Sequence, residues 1–255
     1  MTRHDPHTAL IAQELERRGY TVRWRHAWCF TATRNGRTEV FWSTRSALNT
    51  QIAAQVAKRK DIAARLLADA GVSVPVERMC RETSAAQAIQ WAHGRGPLVV
   101  KPASSPGQGE GATVGVTTRA GLRAAINTAA RVSPLVLVQE QVRGVEARML
   151  VVGGRCVHVL RKLGKPGAYE AITERVHPTY LRAAEQAVAA IPGLGLAGLD
   201  VIAKDWHKPG PYTVIEVNAA PGIKGHHYPT KGRGFNAARA IVDELEHQAR
   251  GSWRE

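Results

Sequence analysis

The chain has 255 residues, 44% of them hydrophobic and 22% charged, the balance of an ordinary globular protein long enough for a sizeable core. No apolar run approaches the roughly 20 residues of a membrane helix. The N-terminal MTRHDPHT has no apolar signal segment, and three distant cysteines without a CxxC pair exclude a zinc knuckle or disulfide framework, so a cytoplasmic protein with no membrane partner is expected.

The elements follow in chain order. Thr8 to Arg18 has Leu10, Ile11 and Leu15 at helical spacing and Gly19 as a stop. Tyr20–Trp24, Trp28–Thr33 and Thr38–Trp42 read as short strands, with Asn35-Gly36 a hairpin turn. One long helix is expected from about Ser46 to Ala70, ended by Gly71, then an extended connector Val72–Val76 and a helix over Ser84–His93. Leu98–Lys101 is a buried-type strand, Pro102–Ala112 a loop rich in Gly, Ser and Pro, Thr113–Val116 a strand, Thr118–Val132 a helix and Leu135–Glu140 a strand. Ala147–Val152 and Cys156–Arg161 form a hairpin around Gly153-Gly154; Pro178–Ile191 is a helix, Gly198–Ala203 and Tyr212–Val217 are strands, and Asn236–Gln248 is a closing helix. Mixed strands and helices without strict βαβ alternation give an α+β, or mixed α/β, class.

The chemistry starts at Ile215-Glu216-Val217-Asn218-Ala219-Ala220-Pro221-Gly222. Val214, Ile215 and Val217 describe a buried strand, and Glu216 and Asn218, two apart, point to one face. A carboxylate and an amide oxygen there suit a hard cation such as Mg²⁺, and Asp200 holds an equivalent place on the strand before. The competing account pairs Glu216 with an arginine and has Asn218 open a turn before Pro-Gly. Lys101 closes a buried strand, where it can reach phosphate, and the glycines of the next loop let backbone N–H groups approach a triphosphate. Neither GxxxxGK[ST] nor a strand–GxGxxG–helix is present, which removes Walker and Rossmann sites.

In order, these segments resemble the ATP-grasp superfamily, nearest the cyanophycin synthetase, glutathione synthetase and RimK-type ligases. The matching text is Arg59-Lys60-Asp61, LLADAGVSVP (66–75), Val99–Gly111, VQEQVRGVEARMLVV (138–152), AGLDVI (197–202) and IEVNAAPG (215–222), spanning Lys58 to Leu245. The resemblance implies an ATP-grasp fold, two α/β subdomains gripping ATP, with an abbreviated N-terminal subdomain at 1–57, a central lid subdomain at 58–138 and a C-terminal subdomain at 139–255. It further implies that Lys60 and Lys101 touch the nucleotide, that Gly107, Gly109 and Gly111 close over the phosphates, and that Glu140, Gln141 and Val142 form the adenine hinge. Glu146 would bind ribose, and Asp200, Glu216 and Asn218 would hold Mg²⁺, with Mn²⁺ the alternative ion. Arg148 and Arg161 would face the γ-phosphate and an acyl phosphate. The activity so implied is ATP-dependent carboxylate–amine ligation on an amino acid or peptide; the alternatives are a nucleotide-binding protein without turnover and a ligase with an aminoacyl-tRNA or other macromolecular partner.

Three features stand apart from that pattern. D-alanine–D-alanine ligases place an arginine two before the metal aspartate, where this chain has Gly198. After Gly222, His226 or His227 could deprotonate an amine, and Lys231 and Arg233 could hold a substrate carboxylate. The net charge is +14 with no block of five or six bases; an arginine-rich composition spread over the surface accounts for most of it, and a polyanion such as RNA is the sharper alternative. Arg23-Trp24-Arg25-His26-Ala27-Trp28 interleaves bases and aromatics like a stacking surface, whereas strand alternation would put Trp24 on the core and the arginines outside. An oligomer is compatible with everything above.

Overall fold

The computed structural model describes residues 4–104 and 109–251. Helix α1 (Pro6–Arg17) starts two residues before the apolar periodicity, because Asp5 accepts the Thr8 amide at 2.9 Å and Pro6 supplies the first helical φ. Strands β1 (Thr21–His26), β2 (Cys29–Arg34) and β3 (Arg37–Trp42) form an antiparallel sheet in that order. Asn35 and Gly36 both have positive φ (52° and 76°), as the two-residue hairpin requires.

The long helix expected over 46–70 is two helices, α2 (Gln51–Lys58) and α3 (Lys60–Asp69). At Arg59 the backbone turns extended (φ −91°, ψ 93°), and the Lys60 amide leaves the helical ladder to bond Ala103 O at 3.1 Å. Propensity reads straight through this break; only a distant carbonyl creates it.

Next comes a four-stranded sheet, ordered β4-β7-β5-β6, built from β4 (Glu77–Cys80), β5 (Leu98–Pro102), β6 (Thr113–Val116) and β7 (Val136–Glu140) and backed by α4 (Ala85–Trp91) and α5 (Arg119–Ala130). Leu98, Val100, Val136 and Val138 point to its core with Leu122 and Ile126, so their alternates Val99, Lys101, Leu137 and Gln139 face the other way. Strand β4 lies where an extended connector was expected to end.

The largest layer is an antiparallel sheet ordered β10-β9-β8-β11-β12, from β8 (Val145–Val152), β9 (Arg155–Lys162), β10 (Tyr169–Ala171), β11 (Leu196–Ala203) and β12 (Tyr212–Asn218). One face packs Met149, Val159, Leu199 and Val217 against α6 (Pro178–Ala189), α2 and α3. Ala63 and Leu67 of α3 belong to this core, so the segment from 58 to 76, assigned by sequence to the lid subdomain, packs on the large sheet. The other face presents Leu150, Val152 and Leu196 to α1, the small sheet and α8 (Ala237–Gly251), and α7 (Lys224–His227) is a single turn beside β9. Among the described residues no helix is long and apolar enough to cross a membrane.

Candidate active site

Strand register assembles the charges. Asp200 on β11 lies between Arg148 of β8 and Glu216 of β12, its Cα partners on either side. Glu146 opposes Ile202, and Asn218 opposes Gly198, so both flank that row on the same face. On β8 this face is charged at Glu146 and Arg148, then apolar at Leu150 and Val152, which lie beneath α1 and α8. The change marks where the cover ends and a cleft of about 700 Å³ begins, lined by Arg45, Lys58, Lys60, Arg148, Glu216 and Asn218.

Arg148 Nε and Nη2 donate to the two oxygens of Asp200, each at 2.9 Å, in a pair with only 13% and 8% of its side chains exposed. Lys162 Nζ lies 3.4 Å from Asp200 Oδ2 and also bonds Glu146. Burial alone would push the Asp200 carboxyl up, but the Arg148 hydrogen bonds and charge, aided by Lys162, outweigh it and hold the group below its ordinary value. Arg148 mirrors this: burial pulls it down and Asp200 raises it further.

The four-stranded sheet contributes from the opposite side. Lys101 Nζ donates to Ile215 O at 3.3 Å, and burial with the nearby Lys60 charge lowers its pKa from 10.5 to about 8. Lys60 reaches Glu216 Oε1 at 3.5 Å, aimed there by the break between α2 and α3. Lys60, Arg148, Glu216 and Asn218 thus line one cleft, with Asp200, Lys101 and Glu146 tied to it through Arg148, the Ile215 carbonyl and Lys162.

Other residues singled out by sequence go elsewhere. Arg161 pairs in register with Ala147, a core residue of the back face, and Glu170 binds its guanidinium; it does not join Arg148. The cation that does is Lys162, one residue on, and strand alternation could have found it. The Glu140 carboxylate is held by Arg95, the Gln141 backbone N–H donates to Pro97 O at 2.8 Å, and Val142 is half-buried between β7 and β8. Gly107 lies outside the described residues. Gly109 and Gly111 have positive φ, and a Cβ at Gly111 would meet Val132 at 2.9 Å and Pro102 at 3.0 Å. Glu77 and Gln139, bonded to each other across β4 and β7, were missed, and burial pushes the Glu77 carboxyl up.

Past Gly222, the two histidines are packed into the fold. His226 is fully buried, its Nδ1 3.0 Å from His158 Nδ1, and burial holds it well below the ordinary imidazole value. His227 Nε2 accepts the Ala238 amide at the start of α8. Lys231 joins the β10 edge through its backbone, accepting from Ala171 at 2.9 Å, and Arg233 is exposed. His226 Nε2 has no partner among the described residues, but burial seals the ring from solvent, and His227 Nε2 is engaged at the start of α8.

Asp200, Glu216 and Asn218 offer two carboxylates and an amide oxygen on one face, a hard donor set that fits Mg²⁺. Asn218 Oδ1 also accepts the Ala220 amide at 2.9 Å, which holds the amide's orientation. A side chain at 198 would intrude here, since a Cβ would stand 2.8 Å from Pro221 Cβ.

Residues 57–245 match the model of the RimK-like ATP-grasp domain. The chain is 30% identical over 214 residues to a probable alpha-L-glutamate ligase of Aeromonas salmonicida, covering 80% of this chain and 68% of that one. In structure it resembles a bifunctional glutathione synthetase from Pasteurella multocida (TM-score 0.71, 17% identity, 96% of this chain, 44% of the other). It also resembles the ATP-grasp ligase PsnB, solved with a minimal precursor, Mg and ADP (TM-score 0.67, 18% identity, 96% and 95%). At these identities the two likenesses speak for the fold alone.

Proposed function

The chain belongs to the RimK-like ATP-grasp family of ATP-dependent ligases, and on that premise we propose that it joins the carboxylate of an amino acid or peptide to an amine through an acyl phosphate. The observation that carries this reading is a cleft lined by Lys60, Arg148 and Glu216, with Asp200 bonded to Arg148 and Lys101 bonded to the carbonyl of Ile215, next to Glu216. Cations from two sheets around oxygen donors suit a triphosphate, whose transfer chemistry depends on positioning and charge neutralisation rather than a protein nucleophile.

Lys101 and Lys60 hold the phosphates, and Arg148, fixed in orientation by Asp200, faces the transferred group. Asp200, Glu216 and Asn218 would hold Mg²⁺, which when bound screens repulsion between the phosphates and the attacking carboxylate. The carboxylate oxygen attacks the γ-phosphorus as ADP leaves; an amine then attacks the acyl carbon and phosphate departs. Water must be kept from the intermediate, which would otherwise hydrolyse. The name of the Aeromonas relative directs the first substrate panel toward glutamate and glutamyl or peptide acceptors.

The test is ADP and phosphate release against a panel of amino acids and peptides, with hydroxylamine to trap the acyl phosphate as a hydroxamate. One acid should give all three products, and Glu216→Ala should reduce turnover by on the order of 10²-fold or more, as loss of a group stabilising transferred charge does. ATP binding with no stimulation by any acid, peptide or protein carboxylate would sink the ligase reading.

A further inference from the structure

The small sheet β1-β2-β3 covers the core with one face only. Trp24, Phe30 and Phe41 share the inner row, and Trp24 is sandwiched between His4 at 3.7 Å and Phe30 at 5.2 Å. The outer face reads across the strands as three rows: Thr21, Thr33, Thr38; then Arg23, Thr31, Val40; then His26, Cys29, Trp42. Trp42 is 49% exposed and lies parallel to His26 at 6.2 Å, with Trp28 beside it, 51% exposed and edge-on to the same imidazole. Arg25 is exposed at the bulge of β1. Between Tyr20 and Arg45 the only acid is Glu39, which opposes Ala32 on the inner side and is held by Arg37. The side chains of Arg23, Arg25 and Arg45 make no ion pair among the described residues.

Two exposed indoles, Trp42 on the outer face and Trp28 in the adjoining turn between β1 and β2, are costly to leave in water, and nothing in the nucleotide cleft uses them. The face is also continuous with that cleft: β3 ends at Trp42, and Ser43, Arg45 and Ser46 beyond it line the cavity that holds Lys60, Arg148 and Glu216. We propose that this face binds single-stranded RNA, with bases stacked on Trp28 and Trp42, phosphates on Arg23, Arg25 and Arg45, and the strand running toward the cleft. Exposed aromatic rings suit nucleobases of any sequence, and an excess of unpaired arginines complements a phosphate backbone. In the outer threonine row the Thr33 and Thr38 hydroxyls bond each other at 2.8 Å and keep lone pairs that can accept from a ribose 2′-hydroxyl, a group DNA lacks. The proposal stands on this surface and does not depend on the ligase reading.

Fluorescence anisotropy of the full chain with a labelled uridine-rich 12-mer RNA tests it, beside a deoxy 12-mer and a glutamate-rich peptide. The RNA should bind most tightly, with a log–log salt slope of about −2, given roughly −0.7 per neutralised phosphate on a single strand. Trp28→Ala with Trp42→Ala should weaken binding about tenfold or more, as lost base stacking does, and Arg23→Ala with Arg25→Ala should flatten the slope. Arg123→Ala with Arg131→Ala, exposed bases of the four-stranded layer, removes the same charge elsewhere and should leave affinity within about twofold. An ATP-induced shift in thermal midpoint reports that each variant is folded. Four results each overturn the proposal: no RNA binding at low salt, DNA bound as tightly as RNA, the peptide bound more tightly, or the control variant losing as much as the tryptophan variant.

Discussion

The two faces of the five-stranded sheet are built by the same strands, residue by alternate residue, and do opposite work. The back face carries Ala147, Met149, Val159, Leu199 and Val217, sealed under α6, α2 and α3. The front face carries Glu146, Arg148, Lys162, Asp200, Glu216 and Asn218; four of its charges are answered by one another and Glu216 by Lys60 of α3. Even the back-face charge obeys the rule, since Arg161 is neutralised at the sheet edge by Glu170. A polar residue on a strand therefore gains its meaning from parity and from what covers that parity, more than from its neighbours in sequence.

That contrast can be broken at its strongest point first. Asp200→Ala leaves Arg148 buried without its partner, and losing one member of such a pair costs about 3–5 kcal/mol. Urea unfolding should show this, while Glu216→Ala, at a side chain 42% exposed, should shift stability by less than about 0.5 kcal/mol. Equal losses for the two would mean that the row is a structural ion network with no special role for its open end.

A finer test sets adjacent residues against each other. Lys162→Met should weaken ATP binding about tenfold, since it strips a charge-assisted contact from Asp200 and Glu146. Arg161→Met, on the other parity, should change ATP affinity by less than about twofold. Calorimetric titration of both decides it, and a larger effect at Arg161 would reverse the assignment of faces.

The smallest effect is a slope with pH. Lys101 titrates at about 8 in the fold against 10.5 when unperturbed, so between those values the unfolded chain binds more protons and stability rises with pH. A bound triphosphate restores the ammonium, so ATP affinity falls over the same window. Lys101→Met should flatten both slopes in urea midpoints and ATP titrations at pH 7.5 and 10; identical slopes in the variant would assign them to other groups.

Much of this protein is determined by local sequence. Short apolar, β-branched runs in 136–140, 145–152, 196–203 and 212–218 set the strands, Asn35-Gly36 sets its hairpin, and the Glu216–Asn218 spacing puts two oxygen donors on one face, because each depends on steric preferences a few residues wide. Partners distant in sequence decided the rest. Ala103 O interrupts the helix at Arg59, Ala147 opposite Arg161 sends that arginine to the back, and packing against His158 buries His226 in a segment that reads as an open polar loop. The tryptophans of the small sheet belong to the same class: Trp24 and Trp42 look alike in a linear sequence, and only the layer packed on one side of the sheet sets one against the core and leaves the other in water. Strand parity is written locally, but the identity of the covered face is a property of the assembled layers, since burial depends on what arrives from elsewhere in the chain.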